Sequence, residues 1–259
     1  MIIGWALGSK KINIKKIVIE NLGERKGNQL LEKTGPNFLQ HADVNEDSIS
    51  LGVAALKKLL NKLSKENIDL NSLGSLISVS ESPHNQIPGN SFDYISLCNI
   101  HEHVFPIDIN AGCTGFVDAL RIANSLKMPS IIITSETYSK RINGFERSIT
   151  PIFSDGASAT YFDPSQWTVL YESSTIRKNT SDAISCMYSS GLKMNGAEVV
   201  DFVMREVVPD IKRVIEKFQP SYVFAHQGSK FVVDFIKSKL ENDRVIFPEN
   251  IMKVGNTVS

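Results

Sequence analysis

The chain has 259 residues, is 42% hydrophobic, and balances 28 basic against 28 acidic side chains for a net charge of zero. That balance offers no bulk electrostatic attraction to nucleic acid or an anionic membrane, and no apolar run approaches spanning length. Three cysteines, Cys98, Cys113 and Cys186, are too few and too odd in number for a disulfide framework, so a reducing cytoplasm is the expected location.

The length suits one large domain or two smaller halves sharing a core. Residues 2–7 read as a first strand and not as a signal peptide, because no basic segment precedes them. Residues 12–19 read as a second strand and 21–40 as polar loop with at most one helical turn. Several capping candidates in 43–47 precede a helix whose Val53, Leu56, Leu59, Leu60 and Leu63 share one face. Residues 74–80 hold a short buried strand, and 82–90, with Pro83, Pro88 and Gly89, a loop. An apolar strand at 104–109 then runs through Ala111 and Gly112 to Cys113, and Phe116, Leu120, Ala123 and Leu126 repeat at helical spacing after it. The isoleucine run at 130–134 reads as a strand buried on both faces. A tight turn at 153–156 leads into a strand at 157–162, and Asp163-Pro164 marks a break between halves at 1–163 and 164–259.

Beyond it, 168–171, 222–225 and 245–247 read as strands, 178–191 as loop, and 199–218 as a helix broken near Pro209. A further helix is expected at 229–240. The alternation predicts an α/β fold with buried, mixed or parallel sheets.

Cys113 stands out chemically. At a strand-to-helix turn, unpaired backbone N–H groups and the helix dipole favour thiolate over thiol, and the flanking glycines admit a substrate carbonyl. The alternative is a buried cysteine packing as a small hydrophobe. Among five histidines, His226 follows an apolar segment and precedes a helix, a position equivalent to that of Cys113. A helix-start histidine capping its own backbone is the other reading. His101 and His103 suit a solvated turn better than a metal site. Asn256 lies in a glycine-flanked turn.

Taken together, Asp108-Ile-Asn-Ala-Gly-Cys113-Thr-Gly-Phe, His226-Gln-Gly-Ser-Lys and Gly255-Asn256-Thr-Val-Ser resemble the Cys-His-Asn triad of the β-ketoacyl-acyl-carrier-protein synthase III family. Lys33-Thr-Gly, Phe153-Ser-Asp-Gly-Ala-Ser-Ala and Met194-Asn-Gly-Ala-Glu-Val fit the same pattern. The resemblance implies a thiolase fold, two similar βα halves in an α-β-α-β-α core. It implies that Cys113 carries an acyl group while His226 and Asn256 polarise a malonyl-acyl-carrier-protein thioester for loss of carbon dioxide. Lys33, Arg147 and Ser229 fall at substrate-binding positions. Acyl-coenzyme A and acyl carrier protein are the implied partners, a homodimer the implied assembly, and thioester substrates take the place of any cofactor or metal.

The pattern also has departures. The sequence ends three residues after Asn256, before strands and a glycine-rich loop of the family, so the second half is expected to be incomplete. Gln29 stands where a tryptophan is typical, Lys33 replaces an arginine, and His226 is followed by Gln-Gly-Ser and not Gln-Ala-Asn. These changes favour an acyl-carrier-protein donor, or acyl transfer to a hydroxyl or amine; a non-catalytic partner subunit is the third reading. Glu81 lies near the position of the glutamate base in hydroxymethylglutaryl-coenzyme-A synthases, with a plain rim glutamate as the alternative.

Overall fold

The computed structural model describes every residue except 188–190, 241 and 243. Its first half is built on one mixed five-stranded sheet. The strands are β1 (Ile2–Leu7), β4 (Ser75–Val79), β5 (Phe105–Ile109), β6 (Ser130–Glu136) and β7 (Gly156–Phe162), in the order β1-β7-β6-β4-β5. The β4 strand runs parallel to β5 and β6, while β7 is antiparallel to β6 and β1. A small antiparallel pair, β2 (Lys10–Asn13) with β3 (Phe38–His41), stands beside it.

Residue parity along the central strands explains the layers. Leu76, Ile131, Ile133, Ala157 and Ala159 face helix α3 (Ser48–Lys65), whose Ala55, Leu56, Leu59 and Leu63 are fully buried. Ile77, Val79 and Ile132 point the other way and pack on Ala119 and Ala123 of α5 (Gly115–Leu126). The start of α3 is fixed by a capping box in which Asp47 accepts from Ser50 N at 2.7 Å and Ser50 Oγ accepts from Asp47 N at 2.8 Å. Tyr94 of α4 (Asn90–Leu97) is buried against the same helix start and donates to Ser48 O at 2.9 Å.

The edge strand β1 lies unusually close to α3. A Cβ on Gly4 would stand 2.2 Å from Ala55 O and 2.5 Å from Leu59 N, both backbone atoms that cannot move aside. Two lysines of α3 close the contact, Lys58 Nζ donating to Trp5 O at 2.9 Å and Lys62 Nζ to Ile3 O at 2.7 Å. Gly4→Ala is therefore expected to destabilise the protein by about 1–3 kcal/mol, seen as a lower urea midpoint with an unchanged slope. A midpoint equal to wild type would contradict this packing.

Two early readings are corrected. Residues 12–19 are not a strand: β2 ends at Asn13, and α1 (Ile14–Leu22) begins there because Asn13 Oδ1 accepts from Lys16 N at 3.0 Å. Ile14 and Val18, four apart, then share a buried face. Nor is 21–40 mainly loop, since it holds α2 (Glu24–Thr34) and β3. The charged sequence of α2 hides a narrow apolar seam at Leu30 and Leu31 that packs on α1.

The second half carries an antiparallel pair, β8 (Ile184–Met187) inside the stretch read as loop and β9 (Gly191–Met194) starting at its last residue; 188–190 lie outside the described residues. The helices α6 (Gly196–Phe202) and α7 (Val208–Phe218) are joined by a π-helical turn at Val203–Val207. That wide turn absorbs the N–H missing at Pro209, which sits in the first turn of α7. After α8 (Lys230–Leu240) the chain forms the short α9 (Ile251–Val254).

The segments read as strands at 168–171, 222–225 and 245–247 form no ladder among the described residues. Isolated bridges take the place of a ladder there, Tyr222↔Ile246 parallel and Asn242↔Val245 antiparallel, too short to count as strands. The segments still bury Val223, Val245 and Phe247 against Ile236 and Leu240 of α8 and against α7, giving this half a small core of its own.

Candidate active site

Cys113 lies in the turn between β5 and α5, two residues before the helix begins. The turn is tight: Gly115 N donates to Gly112 O at 2.8 Å, and a Cβ on Gly115 would stand 2.3 Å from Val79 Cγ1. Only a residue without a side chain lets α5 start this close to β4. The residue is exposed and its own backbone N–H turns toward the sulfur, which favours thiolate. The surroundings oppose it more strongly. Enclosure by protein atoms, then the negative charges of Glu81 and Glu136, push the thiol up to about 12. The helix start alone therefore does not deliver the thiolate expected from the sequence.

Glu81 follows β4 and reaches across to Gly112, whose backbone N–H it accepts. A Cβ on Gly112 would stand 2.5 Å from Glu81 Oε2, so the glycine before the cysteine is what admits the carboxylate. The Tyr138 hydroxyl also donates to Glu81 Oε2. Partial burial raises this carboxyl above the ordinary carboxylate range. Glu136, at the buried end of β6, accepts from Glu81 N at 2.9 Å and Ser82 N at 3.0 Å, and burial pushes it up to about 8. Glu81, Tyr138, Asn110 and Arg141 belong to the wall of a 550 Å³ cavity, closed on its far side by Ile184, Cys186 and Leu192 of β8 and β9.

His226 sits between the Tyr222 bridge and α8. Its ring keeps exposed surface, but enough protein packs round it to push its pKa down to about 4, with burial as the cause. At neutral pH the imidazole is uncharged. Gln227 fixes the segment by donating to Ala225 O at 2.9 Å and accepting from Asn250 N at 3.1 Å at the start of α9.

Asn256 is buried and held on both sides of its backbone, its N–H donating to Ile152 O at 3.0 Å and its carbonyl accepting from Ser154 N at 2.8 Å. The Phe153-Ser-Asp-Gly turn is thus the clamp for the asparagine. Asp155 completes it, accepting from Ala42 N at 2.6 Å and Ser139 N at 2.9 Å. Asn256 Oδ1 accepts from Val258 N at 2.8 Å, which leaves the Nδ2 hydrogens to donate outward; one approaches Gly228 O at 3.5 Å. Val258 takes a left-handed φ of 73°, a strained conformation for a β-branched residue, while its side chain is buried.

The three segments converge. Ser259 Oγ donates to Gly112 O at 3.1 Å beside Cys113, and Asn256 Nδ2 points to the Gly228 carbonyl just past His226. No hydrogen bond joins the Cys113, His226 and Asn256 side chains to one another among the described residues.

The predicted binding residues divide. Glu81 lies in the cavity wall, but Lys33, Arg147 and Ser229 do not. Lys33 and Arg147 are exposed, and Ser229 serves α8, its Oγ accepting from Val232 N at 3.4 Å. The described residues contain no group of three or more His, Cys, Asp or Glu placed to hold a metal. Among the described residues no helix is long and apolar enough to cross a membrane. Glu136 and Tyr138 escape the sequence reading. A carboxylate ending a run of buried isoleucines is a signal that would have found Glu136; nothing local marks Tyr138.

A mixed sheet with a cysteine at the start of the helix on one face, met by His and Asn segments from the other half, is the architecture of the thiolase fold. Residues 107–175 match the family described as 3-oxoacyl-[acyl-carrier-protein (ACP)] synthase III. The beta-ketoacyl-[acyl-carrier-protein] synthase III of Streptococcus pneumoniae (strain Hungary19A-6) is 28% identical over 242 residues, covering 84% of this chain and 74% of that protein. Among solved structures, a 3-oxoacyl-(acyl-carrier protein) synthase from Burkholderia xenovorans LB400 superposes with a TM-score of 0.84 at 20% identity, over 99% of this chain and 81% of that one. The priming β-ketosynthase of the R1128 polyketide biosynthetic pathway gives 0.84 at 19% identity, over 99% and 82%. The chain has the thiolase fold, and its sequence is similar to those of β-ketoacyl-acyl-carrier-protein synthases III.

Proposed function

We propose that the protein catalyses a decarboxylative Claisen condensation through an acyl-Cys113 intermediate. The observation that carries this reading is the convergence of the Cys113, His226 and Asn256 segments at one end of the sheet. The Cys113 sulfur attacks an acyl thioester, supplied by acyl-coenzyme A or an acyl carrier protein, and the carrier thiol leaves. Malonyl-acyl carrier protein then presents its thioester oxygen to the neutral His226 imidazole and to Asn256 Nδ2. Both donate hydrogen bonds to the enolate that forms as carbon dioxide departs, where such donors are worth most. The enolate carbon attacks the acyl-enzyme and Cys113 leaves.

The domain halves 1–163 and 164–259 then divide the labour, nucleophile from the first and enolate donors from the second. The protein works in the cytoplasm as a homodimer. The free edge of β5, with Phe105, Phe92, Leu97 and Val117 exposed about it, supports pairing across a two-fold axis. A single-chain mass by light scattering at micromolar concentration would remove the dimer from this account. For the reaction itself, carbon dioxide release from malonyl-acyl carrier protein is measured with and without an acyl donor. Release coupled one to one with a product two carbons longer is expected. Acyl transfer to a hydroxyl or amine without release would replace condensation by simple transfer.

A further inference from the structure

Acyl loading requires removal of the Cys113 proton, and among the described residues the charged groups that act on the sulfur are the carboxylates Glu81 and Glu136, which oppose its ionisation. His226 is uncharged and, with its pKa depressed by burial, a weak base. Glu136 has both carboxylate oxygens engaged by Ser82 and the Glu81 N–H. Glu81 differs. Its carboxylate stands against the glycine adjoining Cys113, in the cavity wall, and is held there from two sides by the Gly112 N–H and the Tyr138 hydroxyl. Tyr138 is itself anchored, its ring packed on Phe153 at 5.2 Å between centroids, so its hydroxyl is a fixed point.

We propose that Glu81, aimed by Tyr138 and the Gly112 N–H, is the base that takes the Cys113 proton during acyl loading. The inference rests on the acyl-enzyme reading above. In this step the Cys113 S–H bond breaks as the bond from sulfur to the acyl carbon forms. The bond from that carbon to the carrier sulfur then breaks, and the proton on Glu81 passes to the departing carrier thiolate. Protons and electron pairs balance, with no oxidant or reductant. The partial burial that raises Glu81 makes it a stronger base than a surface carboxylate. The same negative charge opposes a free thiolate, so the proton moves together with bond formation. Tyr138 is a positioning residue that acts through Glu81.

The test compares two readouts of one thiol in the intact protein: single-turnover acyl loading by mass spectrometry, and alkylation of Cys113 by iodoacetamide. Glu81→Gln removes the base and also the repelling charge. Loading is expected to fall by ~100-fold or more, while alkylation at the same pH rises because the thiol ionises more easily. Opposite movement of the two is something misfolding does not produce. Tyr138→Phe is expected to slow loading by about 10-fold with an unchanged KM for the donor. Losing a donor to the ionised carboxylate raises Glu81, so the acid limb of the loading profile moves to higher pH; Glu136, Asp108 and Arg141 are the other charged groups on that face. If loading by Glu81→Gln matches or exceeds wild type in step with alkylation, Glu81 is only a repelling charge and the proposal fails. It also fails if both readouts drop together. Absence of any adduct on the wild-type protein is a separate result that sinks the acyl-enzyme reading itself.

Discussion

Replacing Cys113 by alanine is expected to lower product formation by ~1,000-fold or more, the scale seen when a nucleophile is removed and its partners remain. The fold should survive, because Cys113 is an exposed turn residue and the α5 start depends on Gly112 and Gly115. Carbon dioxide release from malonyl-acyl carrier protein should persist at a low, uncoupled rate, since His226 and Asn256 are held by other contacts. Their scaffolding, Gln227 accepting from Asn250 N at the start of α9 and the Asn256 backbone bonded to Ile152 and Ser154, does not involve the thiol. Retention of coupled condensation by Cys113→Ala would mean that the acyl group is held elsewhere.

The second large effect separates the two half-reactions. His226→Ala is expected to leave acyl loading within a few-fold of wild type and to cut carbon dioxide release by ~100- to 1,000-fold, the cost of one preorganised oxyanion donor. The pH dependence follows from the lowered pKa. The neutral ring persists down to about 4, so the decarboxylation step should hold as pH falls from 7 toward 5 and fail only near 4. In stability the sign is also fixed: the folded state binds fewer protons here than the unfolded chain between pH 6.5 and 4. Stability from this group is thus full above 6.5 and declines as the pH falls through that window. Equal losses in loading and decarboxylation would show that His226 serves the thiol and not the enolate.

The first-half sheet was readable because its central strands are short apolar runs with nothing else to be. Leu76-Ile-Ser-Val and Ser130-Ile-Ile-Ile-Thr are buried on both faces, and a strand between two helical layers demands that composition. The helix α1 was misread because Ile12, Ile14, Ile17, Val18 and Ile19 are β-branched and mimic a strand, while the deciding feature is a single side-chain bond from Asn13. The helix α2 was hidden by its charges. In the second half, apolar segments around Phe224 and Ile246 have strand composition, yet composition cannot supply the neighbours a ladder needs.

The candidate site shows the same division. Cys113, His226 and Asn256 were visible as residue types at segment ends, because loops at strand ends are where backbone donors lie free. What sets their chemistry was not visible. The thiol is kept protonated first by burial and then by the negative charges of Glu81 and Glu136, which share no local pattern with Cys113 and meet it only after β4, β5 and β6 are laid side by side. The Tyr138 contact depends on a 3₁₀ turn at Tyr138–Arg141 that follows β6 and is held by Asp155 through Ser139 N. Such pairs are properties of the register and not of any one stretch.

The central claim, an acyl group carried on Cys113, is tested most directly by intact mass of the wild-type protein before and after exposure to a panel of acyl-coenzyme A and acyl-carrier-protein thioesters. The account predicts a single added acyl mass that maps to the peptide containing Cys113, is released by hydroxylamine, and is absent from Cys113→Ala. No added mass from any donor, or an adduct that maps to Cys98 or Cys186, would contradict it.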